Sequence, residues 1–230
     1  MSNELTQPGK LRILLVEDHP LFREQVKQLI NKEDDMTVCG EVDNTAQAMQ
    51  LLESERPDVV VVDLTLKGPS GLELIKDMKA RNIDVPVLVL SMHDESLYAE
   101  RVLRAGARGY ITKHEVSSEV MAAVRKVLAG QVYLGAQMAS RLLETIATKP
   151  QPQKGISTLT DRELEVFELL GRGRTTREIS RSLRLGISTI DTYRARIKSK
   201  LHLDNGSQLY HEAIRWVSAG QKPAETANSG

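Results

Sequence analysis

Two nearly unbroken runs of aliphatic residues, Val59–Val62 and Val85–Leu90, set the strongest limit on what this chain can become. Runs this short and this apolar suit central strands of a parallel sheet, covered on both faces. Leu11–Val16 and Thr37–Glu41 read as further strands, and Gly109–Thr112 as a weaker fifth. Between them the apolar period changes to that of a helix. Phe22, Val26, Leu29 and Ile30 share a face; so do Leu72, Ile75 and Met78, then Val102 with Leu103, then Val120, Val124, Val127 and Leu128. Strands alternating with helices predict an α/β fold, a doubly wound five-stranded parallel sheet.

That pattern does not fill the 230 residues, and a length of this order allows two modest domains. The sheet pattern spans about residues 10–130, with its last helix ending near Ala129. Residues 131–157 read as a linker. Within it, Gly130–Gly135 breaks the helix, Ala136–Ala147 has the spacing of a short amphipathic helix, and Thr148–Ser157 is rich in Pro, Gln and Lys. Residues 158–220 predict a small all-α domain. Thr160–Glu163 and Thr175–Glu178 match capping boxes. Leu185-Gly186-Ile187 forms a turn, Ser188 caps a helix carrying Ile190, Ile197 and Leu201, and Ser207 opens a last helix. The tail, 221–230, is small, polar and expected to be disordered.

A formal net charge of zero conceals an asymmetry. Residues 1–150 carry 18 Lys+Arg against 22 Asp+Glu, whereas 151–230 carry 13 against 9. Arg172–Lys200 alone holds nine basic residues and two acidic ones, which points the second half at a polyanion. With 3% aromatic residues, base-stacking platforms for single strands are disfavoured. One cysteine, Cys39, excludes an intrachain disulfide and a Cys-rich zinc site; in a strand it is expected to act as a small buried hydrophobe. No apolar run reaches the roughly 20 residues of a membrane span. MSNELTQPGK has no apolar secretory core. The expectation is a cytoplasmic protein with no membrane partner.

Ligands of doubly wound sheets sit beyond the carboxyl ends of the strands. Glu17 and Asp18 follow the first strand, Asp63 ends the third, Ser91 ends the fourth and Lys113 follows the fifth. Three carboxylates at one edge call for a cation, and an all-oxygen set favours Mg²⁺. An amine and a hydroxyl beside them suit anionic oxygens. The set fits phosphoryl transfer to Asp63 as nucleophile.

The stretches that carry these residues are LRILLVED, VVVVDL, VLVLSM and GYITK, and they resemble the receiver domain of two-component response regulators. LTDRELEVFELLGRGRTTREIS and ISTIDTYRARIKSKL are similar to the helix-turn-helix of the NarL/FixJ, LuxR-type class. The resemblance covers residues 10–219. It implies a transcription factor, not an enzyme in the usual sense, phosphorylated on Asp63 by a sensor histidine kinase. It implies Mg²⁺ held by Glu17, Asp18, Asp63 and the carbonyl of Thr65, with Ser91 and Lys113 contacting the phosphoryl group and Tyr110 as the switch aromatic. Double-stranded DNA, a second copy of the chain in the active state, and RNA polymerase are the further partners it implies. The chain departs from the pattern at Lys67, where Pro is common, and at Lys113-His114, where Lys-Pro is common. A phosphatase of the haloacid dehalogenase type also uses a strand-end Asp, but needs a second Asp where this chain has Thr65.

For the DNA-reading helix, Ile190, Ile197 and Leu201 fall on one face, which leaves Thr192, Ala195, Arg196 and Ser199 opposite, with Asp191 beside them. Thr189 and Arg194 complete the expected reading surface. Arg174, Arg177, Lys198 and Lys200 suit phosphates, as does Arg172. Asp191 stands where the family commonly has Lys, and is tolerated if it accepts from cytosine or orients a neighbouring Arg. The last helix, with Leu209, Ala213, Ile214, Trp216 and Val217, is expected to carry a dimer contact. No histidine is assigned as a ligand: His19 reads as a spacer before Pro20, since hard cations prefer oxygen.

Overall fold

In a computed structural model that describes residues 9–66, 68–92, 95–136, 138–140 and 155–220, the chain falls into two compact units. The first unit runs β1 (Leu11–Val16), α1 (Pro20–Asn31), β2 (Met36–Val42), α2 (Thr45–Glu55), β3 (Val59–Asp63), α3 (Gly71–Ala80), β4 (Val87–Ser91), α4 (Glu95–Ala105), β5 (Gly109–Thr112) and α5 (Val116–Leu128). The strands form one parallel sheet in the order β2-β1-β3-β4-β5. This is the expected doubly wound fold. Val59 to Val62 are fully buried, as a central strand covered on both faces requires. Burial of such side chains contributes about 1.5–3 kcal/mol each.

The strand order reverses between β1 and β3, and the crevice at that switch point lies beyond their carboxyl ends. Glu17, Asp18 and Asp63 are therefore brought together by the topology itself. Gly71 keeps the crevice in shape from below. A Cβ there would stand 2.1 Å from the carbonyl oxygen of Asp63, so only glycine lets α3 start this close to β3.

Two details differ from the sequence reading. Cys39 is half-buried rather than buried. The β1–β2 register shifts between Ile13 and Leu14, which pair with Val38 and Gly40, and Cys39 takes the bulge position between them. The first unit also continues past residue 130. The Tyr133 amide donates to the Arg108 carbonyl (2.9 Å), and its carbonyl accepts from the Tyr110 amide (3.0 Å). Gly109 makes room for it, because a Cβ there would meet the Tyr133 Cβ at 3.3 Å. The short helix expected over 136–147 lies for the most part outside the described residues, as do Lys67 and the tail from 221.

The second unit is helical: a 3₁₀ turn (Gly155–Thr158), then α6 (Asp161–Gly171), α7 (Thr176–Leu183), α8 (Ile187–Leu201) and α9 (Gly206–Gly220). Both expected capping boxes form, from Thr160 with Glu163 and from Thr175 with Glu178. Leu164, Phe167, Leu170, Ile179, Ile190, Ile197, Leu209 and Ala213 are fully buried together. Two starts differ, by two residues and by one. Gly186, not Ser188, is the N-cap of α8, because its carbonyl accepts from Thr189 and Ile190. The last helix begins at Gly206, with the Asn205 side chain accepting from the Gln208 amide at 3.0 Å. Among the described residues no helix is long and apolar enough to cross a membrane.

The Gly71 contact yields a test. Gly71→Ala is expected to destabilise the first unit by about 2 kcal/mol or more, since the obstacle is backbone and not a flexible side chain. Urea unfolding followed by far-ultraviolet circular dichroism would show it. An unchanged midpoint would mean that α3 can retreat from β3 without cost.

Candidate phosphoacceptor site and nucleic-acid interface

At the switch crevice, Lys113 holds two carboxylates at once. Its Nζ lies 2.8 Å from Asp63 Oδ2 and 2.6 Å from Glu17 Oε2. All three side chains are nearly inaccessible, at 4%, 1% and 2% exposure, so solvent screens the contacts little. The other Asp63 oxygen accepts from the Thr65 amide at 3.1 Å. Asp18 is buried beside them. Ser91 is fully buried at the end of β4, and its carbonyl accepts from the Lys113 amide at 2.8 Å, tying the ends of β4 and β5 together. Tyr110 is fully buried in β5. His114 is exposed, and every described peptide bond is trans, that between Lys113 and His114 included.

Burial pushes the Asp63 carboxyl up to about 6; Lys113 pulls it back down, and Glu17 adds to the rise. Three buried carboxylates share one ammonium here, so the crevice keeps an excess of negative charge. Glu17, Asp18, His19 and Asp63 each offer a ligand atom, and these atoms lie within 4.8 Å of one another. The carboxylates suit a hard divalent cation such as Mg²⁺.

Two neighbours were not assigned from the sequence. The Phe22 ring lies under Lys113, with Nζ 4.5 Å from its centroid, an attraction that helps hold the ammonium over the carboxylates. In sequence Phe22 reads only as part of the core face of α1; its place in the first turn after the acidic pair is the available signal. His19, read as a spacer, stands with Nδ1 2.9 Å from Glu17 Oε1 and 3.0 Å from Asp18 Oδ1.

On the second unit, Thr189, Asp191, Thr192, Ala195, Arg196 and Ser199 are all exposed along α8, and Arg172, Arg174 and Arg177 are exposed before and within α7. Four of the basic residues considered for DNA are engaged internally, Arg174 through a 3.8 Å contact with Glu178 Oε1. Arg172 donates to Glu168 at 2.6 Å. Arg194 donates to Thr176 Oγ1 (2.9 Å) and Asp191 Oδ1 (3.2 Å), with its guanidinium 5.5 Å from the Tyr210 ring centroid. Asp191 thus accepts from the neighbouring Arg194, a contact compatible with one of the two roles weighed for it. Lys200 folds back onto Glu163 (2.6 Å) and the Thr158 carbonyl (3.2 Å). Burial alone would raise the Glu163 carboxyl, but Lys200 and the Thr160 cap outweigh it and hold it below the usual range. Lys198 is half-buried. Along α9, Leu209 and Ala213 are spent on the bundle and Trp216 lies 5.6 Å from Phe167, ring centre to ring centre; Ile214 is 48% exposed.

Comparison with known proteins agrees with both units. Residues 13–125 match the family model described as the response regulator receiver domain, and residues 157–213 match that of bacterial regulatory proteins, luxR family. The response regulator UvrY of Escherichia coli strain K12 is 31% identical over 219 residues, 95% of this chain and 99% of its own length. The transcriptional activator protein ExaE of Pseudomonas putida is 34% identical over 207 residues, 88% of this chain and 95% of its own. A LuxR-family two-component response regulator from Aurantimonas sp. SI85-9A1, solved by crystallography, superposes with a TM-score of 0.57 at 33% identity, covering 61% of this chain and all of that one.

Two predictions follow from these charges. A carboxyl whose pKa is higher in the folded than in the unfolded chain weakens the fold when it ionises. For Asp63 that penalty is absent below about pH 4, grows toward pH 6 and is complete above it. Asp63→Asn is therefore expected to stabilise the cation-free protein by about 1–3 kcal/mol at pH 7.5, with the gap closing toward pH 4. Urea unfolding in chelator across that range checks this, and a gap independent of pH would contradict it. In the second unit, Lys200→Ala leaves the buried Glu163 carboxylate with the Thr160 cap but no cation and is expected to cost about 1–3 kcal/mol, whereas Arg196→Ala should stay within about 0.5 kcal/mol. The single tryptophan, Trp216, reports this unfolding by fluorescence. Equal stability of the two variants would show that the Lys200 contact is idle.

Proposed function

We propose that this chain, which belongs to the two-component response regulators that join a receiver domain to a LuxR-type helix-turn-helix, accepts a phosphoryl group on Asp63 from a sensor histidine kinase, and that this controls its binding to double-stranded DNA. The observation that carries the reading is Lys113 bridging Glu17 and Asp63 in the buried crevice. A carboxylate oxygen of Asp63 attacks the phosphorus as the phosphorus–nitrogen bond of a phosphohistidine breaks; the imidazole, protonated beforehand by solvent on its other ring nitrogen, takes the bond's electron pair and leaves neutral. The product is an acyl phosphate on Asp63. Lys113 is already placed to meet the added charge of about −1.5 to −2. Glu17, Asp18, Asp63 and the Thr65 carbonyl would hold Mg²⁺, which would supply positive charge beside the transferred group. Ser91 and Tyr110, at the end of β4 and within β5, are the groups through which the phosphoryl biases the surrounding loops.

The chain is a regulator rather than a phosphatase in this reading. Position 65 is Thr, whose hydroxyl is a poor general acid, and its amide is engaged with Asp63. On the second unit, Thr189, Asp191, Thr192, Ala195 and Arg196 face bases, while Arg174, Arg177 and Lys198 face phosphates. Arg194 and Lys200 act first by fixing α8 on α7 and α6, and reach DNA only with their remaining donors. Dimer contact on DNA falls to the exposed Ile214 face of α9.

Treatment with acetyl phosphate and Mg²⁺ should label the wild-type protein, and Asp63→Asn should abolish the label. Labelled protein should bind its preferred DNA site more tightly at matched salt, by about 1–3 kcal/mol. Full labelling of Asp63→Asn would overturn the acceptor, and equal affinity with and without the donor would overturn the coupling.

A further inference from the structure

We propose that His19 is a nitrogen ligand of the cation site, so that this receiver favours a first-row transition ion such as Mn²⁺ over Mg²⁺ more strongly than an all-oxygen site would. The inference rests on the cation site read above from Glu17, Asp18 and Asp63. Three observations carry it. His19 Nδ1 lies 2.9 Å from Glu17 Oε1, 3.0 Å from Asp18 Oδ1 and 3.9 Å from Asp63 Oδ2, so it stands among all three carboxylates rather than against one. The backbone places it there. The His19 amide donates to Glu17 Oε1 at 2.9 Å, and Pro20 at the start of α1 confines His19 to the extended region, where it has φ −91° and ψ 106°. Finally, its side chain is 63% exposed while those of Glu17, Asp18 and Asp63 are nearly closed off, so the imidazole covers the solvent side of an otherwise buried acidic cup.

In the cation-free chain Nδ1 donates to Glu17 Oε1; with a cation in the cup, Nδ1 would offer its lone pair in place of that proton while Nε2 meets solvent. Cations with partly filled d shells gain more from such a nitrogen than Mg²⁺ does, in the order Mn²⁺ < Co²⁺ < Ni²⁺. Mg²⁺ demands near-ideal oxygen octahedra and holds its waters, so it gains least from the exchange. His19 thereby sets which cation the acidic pair selects, a role separate from that of Asp63 as acceptor.

The test uses the full chain loaded with Mn²⁺ and read by pulsed electron paramagnetic resonance, with Mn²⁺ and Mg²⁺ affinities measured by competition. The wild type should show the ¹⁴N modulation of a directly bound imidazole. His19→Gln should lose that modulation, keep binding both ions, and lower the Mn²⁺ to Mg²⁺ affinity ratio by about tenfold or more. Asp18→Asn should lose the saturable site. Bound Mn²⁺ without nitrogen modulation in the wild type, or modulation that persists in His19→Gln, would overturn the role of His19 while leaving the cation site intact. Mn²⁺ binding indifferent to Asp18→Asn would instead overturn the cation site, and His19 with it.

Discussion

The contact on which the first unit's chemistry depends is the Lys113 ammonium between Glu17 and Asp63. Without it the crevice would bury three carboxylates with no compensating cation, an arrangement that protonates or unfolds. With it, Asp63 is still pushed up to about 6, so the balance is close and leaves a place for added positive charge. Each surrounding feature serves that balance. The strand order brings β1 and β3 side by side, Gly71 lets α3 begin against the Asp63 carbonyl, and Phe22 lies under the ammonium. Thr65 directs the second oxygen of Asp63. The site is a balance of buried charges, and the phosphoryl group proposed for Asp63 would shift it by about −1.5 to −2.

The second unit uses the same economy in a different way. Its basic residues divide into those that hold the bundle and those that face outward. Glu163 is both the N3 member of a capping box and the partner of Lys200, so one carboxylate ties the start of α6 to the last turn of α8. Arg194 joins α8 to Thr176 at the start of α7 and to Tyr210 of α9. These contacts hold α8 against α6, α7 and α9. A count of positive charges overstates how many are free for phosphates.

The sheet could be read from the sequence because its physics is local. Val59–Val62 can be buried on both faces only at the centre of a parallel sheet, and strand-end polar residues then converge without further information. The helices of the second unit were legible for the same reason, through capping boxes that satisfy amides three residues away. What escaped was settled by contacts between distant parts of the chain. Lys200 and Glu163 are 37 residues apart, and nothing in either neighbourhood marks the pair. The Cys39 bulge depends on how Gly40 meets β1, and the continuation to Tyr133 depends on the space beside Gly109. In the sequence His19 reads as a spacer before Pro20 and Phe22 as a core residue of α1. Their nearness in sequence to Glu17 and Asp18 is the one signal of their approach to the site; the contacts themselves depend on the turn into α1.

The most direct test of the account is to locate the phosphoryl group chemically. An acyl phosphate is reduced by borohydride to an alcohol, which converts an aspartyl phosphate to homoserine, whereas a phosphoester or phosphohistidine is not so converted. The full chain would be treated with acetyl phosphate and Mg²⁺, reduced, digested and mapped by mass spectrometry. The account predicts homoserine at position 63 alone, dependent on the donor and on Mg²⁺. Homoserine at another aspartate, or phosphate retained on a serine, threonine or histidine with Asp63 unmodified, would contradict it.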